Sequence, residues 1–326
     1  MKDLYVVFYL ICRSVLVYAT TISPTGRLGM IASHYSMSND VLTAWNCDFE
    51  GVAFIPNGVR HIGKNAFSGC HRVVEVVIPD GVETVGEYAF SACRRLRKVG
   101  ISDSVTNIES RAFSYCNLLH DIHLPFGLTV LSDGVFIGCS SLGCIRVPDS
   151  VQNIRAEAFM GCMALENVTL PTNLVEIGPR AFLCCVRLRE LKIPSCTERI
   201  GDGAFSGCVN LQVMTLPRRV HSLGDFAFLG CSRLTRLRFL GDAPSDTKLS
   251  GVLSETHKDL VVIAFIENYG WPHGGYWPAD ANEHDRRTLC LLSSLESNSR
   301  EKAGNYSDYF PHIGINNDSS VCEGVK

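Results

Sequence analysis

Between Trp45 and Leu240 the apolar positions follow a pattern longer than any single helix or strand, because it recurs at a fixed interval, the one that separates Phe67 from Phe90. One part of each period reads L-x-x-L-x-L, as in Leu96, Val99 and Ile101, then Leu119, Ile122 and Leu124, then Leu165, Val168 and Leu170. Alternation of this kind predicts a short strand with every second side chain inward. Pro usually closes the stretch, at Pro56, Pro79, Pro125, Pro148, Pro171, Pro194 and Pro217, where it cannot donate the next ladder hydrogen bond. A second inward pair follows, such as Val82 with Val85 or Leu174 with Ile177, and then a segment of the form G-x-x-A-F predicts a short helical or 3-10 turn.

Written in rows of 23, the chain places Phe67, Phe90, Phe113, Phe136, Phe159, Phe182, Phe205 and Phe228 in one column, without insertion or deletion. Three residues after each comes Cys70, Cys93, Cys116, Cys139, Cys162, Cys185, Cys208 or Cys231, and Cys47 falls one period before Cys70. A single coil this short cannot bury its own apolar face, so such a period implies coils that cover one another in a stack. Down the stack, like side chains lie about 4.8 Å apart, the spacing of neighbouring strands, so the Phe column is expected to form an internal offset stack.

The segment "LRELKIPSCTERIGDGAFSGC" resembles the BspA-type leucine-rich repeats, whose coil reads roughly L-x-x-I-x-I-P-x-x-V-x-x-I-G-x-x-A-F-x-x-C. The resemblance covers about residues 47 to 240. It implies an α/β solenoid, a right-handed coil with a parallel sheet on one face and short helical or 3-10 turns opposite, of a kind used by surface and secreted proteins for adhesion and protein binding. Some positions depart from it: Glu109, Ser132 and Arg155 stand where the repeat has Gly, Ser102 where it has Pro, and Thr197 where it has Val. Three non-Gly residues in one column argue that the backbone there does not need a positive φ.

The cysteine column has two readings. Zinc needs ligands that converge on one point, usually from C-x₂₋₄-C clusters. A column offers thiols that point the same way, and no C-x-x-C occurs. Disulfides between adjacent coils are within reach by distance, but parallel side chains make the torsion awkward. The column is therefore expected to hold reduced thiols acting as small buried hydrophobes. Cys12, Cys144, Cys184, Cys196, Cys290 and Cys322 show no metal spacing.

Composition adds limits. The 326 residues are 46% hydrophobic, enough for a full core, and the net charge of −3 gives no global reason to expect nucleic acid or an anionic membrane as partner. The apolar stretch from Leu4 to Ala19 resembles a weak signal peptide, interrupted by Arg13 and shorter than the roughly 20 residues that span a bilayer. Secretion or a cell-surface location is the expectation, with a cytoplasmic location as the alternative. The domain reading is a lead-in or cap over 1–43, a solenoid over 44–240, a C-terminal cap over 241–285 and a flexible tail over 286–326.

Function is then sought on residues the core does not constrain. Two outward columns cross the sheet: Glu75, Lys98, Asp121, Cys144, Asn167, Glu190, Val213 and Arg236; and Val77, Gly100, His123, Arg146, Thr169, Lys192, Thr215 and Arg238. Cations accumulate toward the end of the array, where Lys192, Arg236 and Arg238 are joined by Arg218, Arg219 and Arg233. Lys192, Arg218, Arg219, Arg236 and Arg238 form the candidate binding patch for an acidic protein or anionic glycan, against the alternative of a merely solvated face. Asn167, Asn305 and Asn317 begin sequons. After Leu240 the period fails; Val261 to Ile266 reads as an apolar strand capping the stack, with Trp271, Tyr276 and Trp277 as aromatic packing. His273, Asp280 and His284 are the weak candidates for a metal or catalytic site, set in loop without fixed ligand spacing. No nucleophile elbow, H-E-x-x-H or phosphate-binding loop occurs. The chain reads as a non-catalytic, monomeric interaction module without cofactor or metal, the alternative being a structural surface protein with no specific ligand.

Overall fold

A computed structural model describes residues 34–244, 252–265, 271, 276–277 and 287–292. Leu4 to Ala19, His273, Asp280, His284, Asn305 and Asn317 lie outside these residues. The described chain is a β-solenoid in which each coil contributes two parallel strand segments. The longer ones form the face predicted from L-x-x-L-x-L: Gly51–Phe54, Val73–Ile78, Lys98–Ile101 and Asp121–Ile122 pair in that order, as do Cys144–Arg146 with Asn167–Thr169 and Val213–Leu216 with Arg236–Phe239. Register advances by one full sequence period per coil, with Glu75 opposite Lys98 and Lys98 opposite Asp121. The second inward pairs form a separate parallel ladder of two-residue strands, among them His61–Ile62, Thr84–Val85 and Asn107–Ile108. At the start of the array Tyr35–Ser38 runs antiparallel to Val41–Trp45, which then pairs in parallel with His61–Ile62.

The Phe column is fully buried and stacked, with ring centroids between 4.7 Å for Phe67 on Phe90 and 5.8 Å for Phe113 on Phe136. Trp45 extends the stack past its first phenylalanine, 4.8 Å from Phe67, and Tyr35 stacks on Trp45 in turn at 5.9 Å.

The expected helical or 3-10 turns are absent: among the described residues there is no helix, and the G-x-x-A-F segment is a sequence of turns. The reason lies in the backbone. Residues two before each ladder Phe are left-handed, at Asn65, Tyr88, Arg111, Gly134, Glu157, Arg180, Gly203 and Phe226, with φ between 55° and 60°. Residues two after it are left-handed as well, at Gly69, Ala92, Tyr115, Gly138, Gly161, Cys184, Gly207 and Gly230. Left-handed residues at this spacing interrupt any helix. Hydrogen bonds alternate accordingly: Phe67, Asn65 and Gly69 donate to Ala89, Glu87 and Ser91 of the next coil, while Ser68 and Cys70 donate three residues back within their own coil.

The column holding Glu109, Ser132 and Arg155 does not require positive φ, as the sequence argued, since none of these three and none of Gly63, Gly86, Gly178, Gly201 and Gly224 adopts it. Glycine serves close approach there instead. A Cβ at Gly224 would stand 2.2 Å from the Asp202 nitrogen.

The sheet continues past Leu240. Val261–Phe265 pairs in parallel with Arg236–Phe239, and Arg287–Leu292 pairs in parallel with Val261–Phe265, adding a strand where composition suggested tail. Between them Phe228 donates to Val252 and Gly230 to Ser254. Leu253 therefore occupies the Phe position, Glu255 (φ 55°) the left-handed one and Thr256 the Cys one, in a coil slightly longer than the regular period. Trp271 is buried, packs edge-on to Phe239 at 4.8 Å and donates its indole N–H to the Gly241 carbonyl.

Two stability measurements follow. Phe159→Ala removes a ring stacked on both sides and is expected to cost about 3–5 kcal/mol in chemical denaturation. Ala92→Gly relieves a left-handed alanine while leaving its bond to Ser114 intact, so it is expected to stabilise by up to about 1 kcal/mol. A loss of stability in Ala92→Gly would contradict the left-handed assignment.

Candidate functional site

The long strands carry the site because their alternation leaves one row of side chains inward and two columns outward. Val76, Val99, Ile122, Ile145, Leu191, Met214 and Leu237 are buried. Between them the outward columns align in register: Glu190 opposite Val213 opposite Arg236, and Thr215 opposite Arg238. This face is concave. One depression of about 930 Å³ runs over Glu190, Lys192, Val213 and Thr215, and another of about 850 Å³ over Asp121, His123, Phe126 and Arg146. Asn167 and Thr169 line both, so the two form one groove along the sheet.

Of the five candidate residues, Lys192 lines the groove and is exposed. Arg236, exposed, and Arg238, half-buried, stand on the adjoining strand, while Arg218 and Arg219 are exposed on the turn after Pro217, outside the groove lining. The structure thus places Arg236 and Arg238 on one strand, puts Lys192 two coils earlier in a stretch tied to that sheet by the Glu190–Val213 bridge, and leaves Arg218 and Arg219 outside the groove lining. At the opposite end the face is charge-neutralised, because Lys98 lies 3.7 Å from Glu75 and 3.9 Å from Asp121. Asn167 is exposed on its strand, as a sequon acceptor must be.

Sequence reasoning passed over Phe126, which is 73% exposed in the groove. A signal existed: at the equivalent turn position the other coils carry Asp80, Asp103, Asp149, Thr172, Ser195 and Arg218, all polar. Cys144 was placed in the outward column and is an exposed free thiol in the same groove.

The cysteine column departs from expectation at one end. Cys47 and Cys70 form a disulfide with Cα atoms 4.2 Å apart, so the first pair is oxidised and the awkward parallel geometry does not apply there. Cys47 is exposed and follows a strand rather than the ladder turn, so no packing fixes its side chain parallel to the rest. From Cys93 onward the column is as expected: buried free thiols. Each donates to the carbonyl of the ladder phenylalanine one coil earlier, Cys93 to Phe67 at 3.0 Å and Cys231 to Phe205 at 3.2 Å. Burial pushes the Cys93, Cys139 and Cys231 thiols up to about 12, and those of Cys116, Cys162, Cys185 and Cys208 well above the ordinary value.

Such thiols are neither nucleophiles nor metal ligands at neutral pH, since both roles need the thiolate. Among the described residues no three His, Cys, Asp or Glu side chains converge as a metal site, and no helix is long and apolar enough to cross a membrane.

A sequence model of the BspA type leucine-rich repeat region matches the chain in six copies, over residues 45–165 and 138–245. No curated protein sequence matches it. Among solved structures, the T. pallidum leucine-rich repeat protein is 30% identical with a TM-score of 0.48, over 61% of this chain and 86% of that one. The pneumococcal vaccine antigen PcpA is 19% identical with a TM-score of 0.47, over 77% and 76%. A leucine-rich cell surface protein from Faecalibacterium prausnitzii is 20% identical with a TM-score of 0.30, over 73% and 93%.

The thiol column sets a pH limit. Its folded pKa values lie above the ordinary value of 9.0, so above that pH the unfolded chain releases protons first. Stability is expected to be intact below about pH 9 and to fall as pH rises toward 12. In maleimide labelling of native protein at pH 7, Cys144 and Cys184, both exposed, should react while Cys93 to Cys231 of the column wait for denaturant. Rapid native labelling of the column would refute its burial.

Proposed function

Because this chain belongs to the BspA-type leucine-rich repeat family, we propose that it is a non-catalytic interaction module that binds a protein or glycan partner through its concave sheet face. The observation that carries the reading is the in-register groove, which lines up outward side chains that the core leaves unconstrained. Lys192, Arg236 and Arg238, with Arg218 and Arg219 at the rim, make its C-terminal end the part that receives an anionic partner. A rigid solenoid holds these charges in place, so little order has to be gained on binding.

A secreted or cell-surface location fits the Cys47–Cys70 disulfide, since such bonds persist in oxidising compartments. The residues 1–43 lead-in and a C-terminal cap that runs from 241 through the Arg287–Leu292 strand complete the proposed organisation.

Lys192→Ser/Arg236→Ser replaces two exposed cations and is expected to change folding stability by no more than about 0.5 kcal/mol per site. Association with the partner is expected to become slower and less sensitive to salt. The test is an array of acidic glycans and matrix proteins probed with both forms at two salt concentrations. Unchanged binding of every ligand would remove this end of the groove from the site.

A further inference from the structure

A solenoid with a fixed period is its own control, because charged residues one period apart stand directly over one another. In this chain charged neighbours one period apart are mostly of opposite sign, and many of them ion-pair: Arg60 with Glu83, Lys64 with Glu87, Glu75 with Lys98, Lys98 with Asp121, Glu157 with Arg180 and Glu176 with Arg199. Two Asp pairs share the spacing, but three of these four carboxylates accept a local hydrogen bond. Asp80 accepts from the Ser102 hydroxyl, Asp103 from the Phe126 N–H and Asp202 from the Asp225 N–H.

Arg72 and Arg95 break this rule. They are the one pair drawn from Lys and Arg at this spacing among the described residues, both exposed on the rim that leads from the Cys turn into the sheet. Arg94 and Arg97 flank Arg95 and are exposed too. The Arg97 N–H donates to the Val74 carbonyl, which places it on the coil beside Arg72. Against these four guanidiniums stands Glu50, 3.6 Å from Arg95. The adjacent Lys98 is already held by Glu75 and Asp121. Stacked like charges oppose folding, and nothing in the packing of these coils requires them.

We infer that Arg72, Arg94, Arg95 and Arg97 form a second binding site, separate from the Lys192–Arg238 end of the groove, for a sulfated polysaccharide. Guanidinium is planar, permanently charged and weakly hydrated, and its fork of donors fits the oxygens of a sulfate ester bidentately. A sulfate ester is likewise charged at every physiological pH. The cluster spans two coils, about one strand spacing, which suits a short run of sulfates along one saccharide chain. A nucleic acid duplex needs a longer basic track, and here Glu75 and Asp121, on either side of Lys98, border the cluster. Residues 94–98 also interleave no Trp, Tyr or Phe on which bases could stack.

The test uses the full chain with a fluorescent, size-defined heparin hexasaccharide, its fully desulfated form, a short DNA duplex and a polyglutamate peptide, each titrated at two salt concentrations. Arg72→Ser/Arg94→Ser removes two guanidiniums that make no ion pair among the described residues. The expected results are binding of the sulfated hexasaccharide alone and a loss of about tenfold or more in the variant. Its salt slope should shrink by about two, with an unchanged or higher thermal midpoint. Lys192→Ser/Arg236→Ser should keep hexasaccharide binding, which separates this site from the groove. Equal affinity in Arg72→Ser/Arg94→Ser would overturn the assignment, as would equal or tighter binding of the desulfated sugar, the duplex or the peptide.

Discussion

Each ladder phenylalanine donates its N–H to the carbonyl of the residue that precedes the next ladder phenylalanine, Phe67 to Ala89 and Phe205 to Ala227 alike. This bond sets the rise of the solenoid, and the rest of the coil is built to keep it. It brings successive rings to stacking distance. It also holds each Cys thiol against the Phe carbonyl of the coil before, so the column is satisfied as a donor without being ionised. Residues before Phe are Ala or Val because a larger side chain would push the coils apart.

The same bond explains why the turn is not helical. Successive N–H groups must alternate between the next coil and their own, and a right-handed helix would send them all one way. Left-handed residues at two positions per coil produce the alternation, at a local cost borne by Tyr88, Ala92, Arg111 and Tyr115 and avoided where glycine stands instead. That cost is offset by the ladder of hydrogen bonds and by complete burial of the Phe and Cys columns. Where coils approach most closely, the requirement changes from conformation to space, and Gly201 and Gly224 leave no room for a Cβ.

With the core committed to periodicity, variation is left to the outer columns. There the chain mostly pairs opposite charges between coils, each exposed pair contributing little by itself. Two departures from that pattern are the surfaces proposed above for binding: cations that gather toward the end of the array, and guanidiniums stacked on the first coils. The groove lies between them, lined by Phe126, Arg146, Asn167 and Lys192.

The period, the inward columns and the strand that bears the outward residues were legible in the sequence, because burial between identical neighbours forces Leu, Phe and Cys to recur at fixed intervals. So was the absence of positive φ at Glu109, Ser132 and Arg155, since three different side chains share that position. The sequence did not show the left-handed residues two before each Phe, because Asn65, Tyr88, Arg111, Glu157 and Phe226 have no common chemistry and are imposed on by the hydrogen bonds between coils. Nor did it show that Leu253 and Thr256 continue the Phe and Cys columns, since a slightly longer preceding loop hides the period while the backbone pairing absorbs the difference. The disulfide was decided by the edge of the stack, where Cys47 escapes the packing that keeps every later thiol apart. Concavity is likewise tertiary: alternation tells which side chains face outward, but only the stacked coils make Asn167 and Thr169 the middle of one groove.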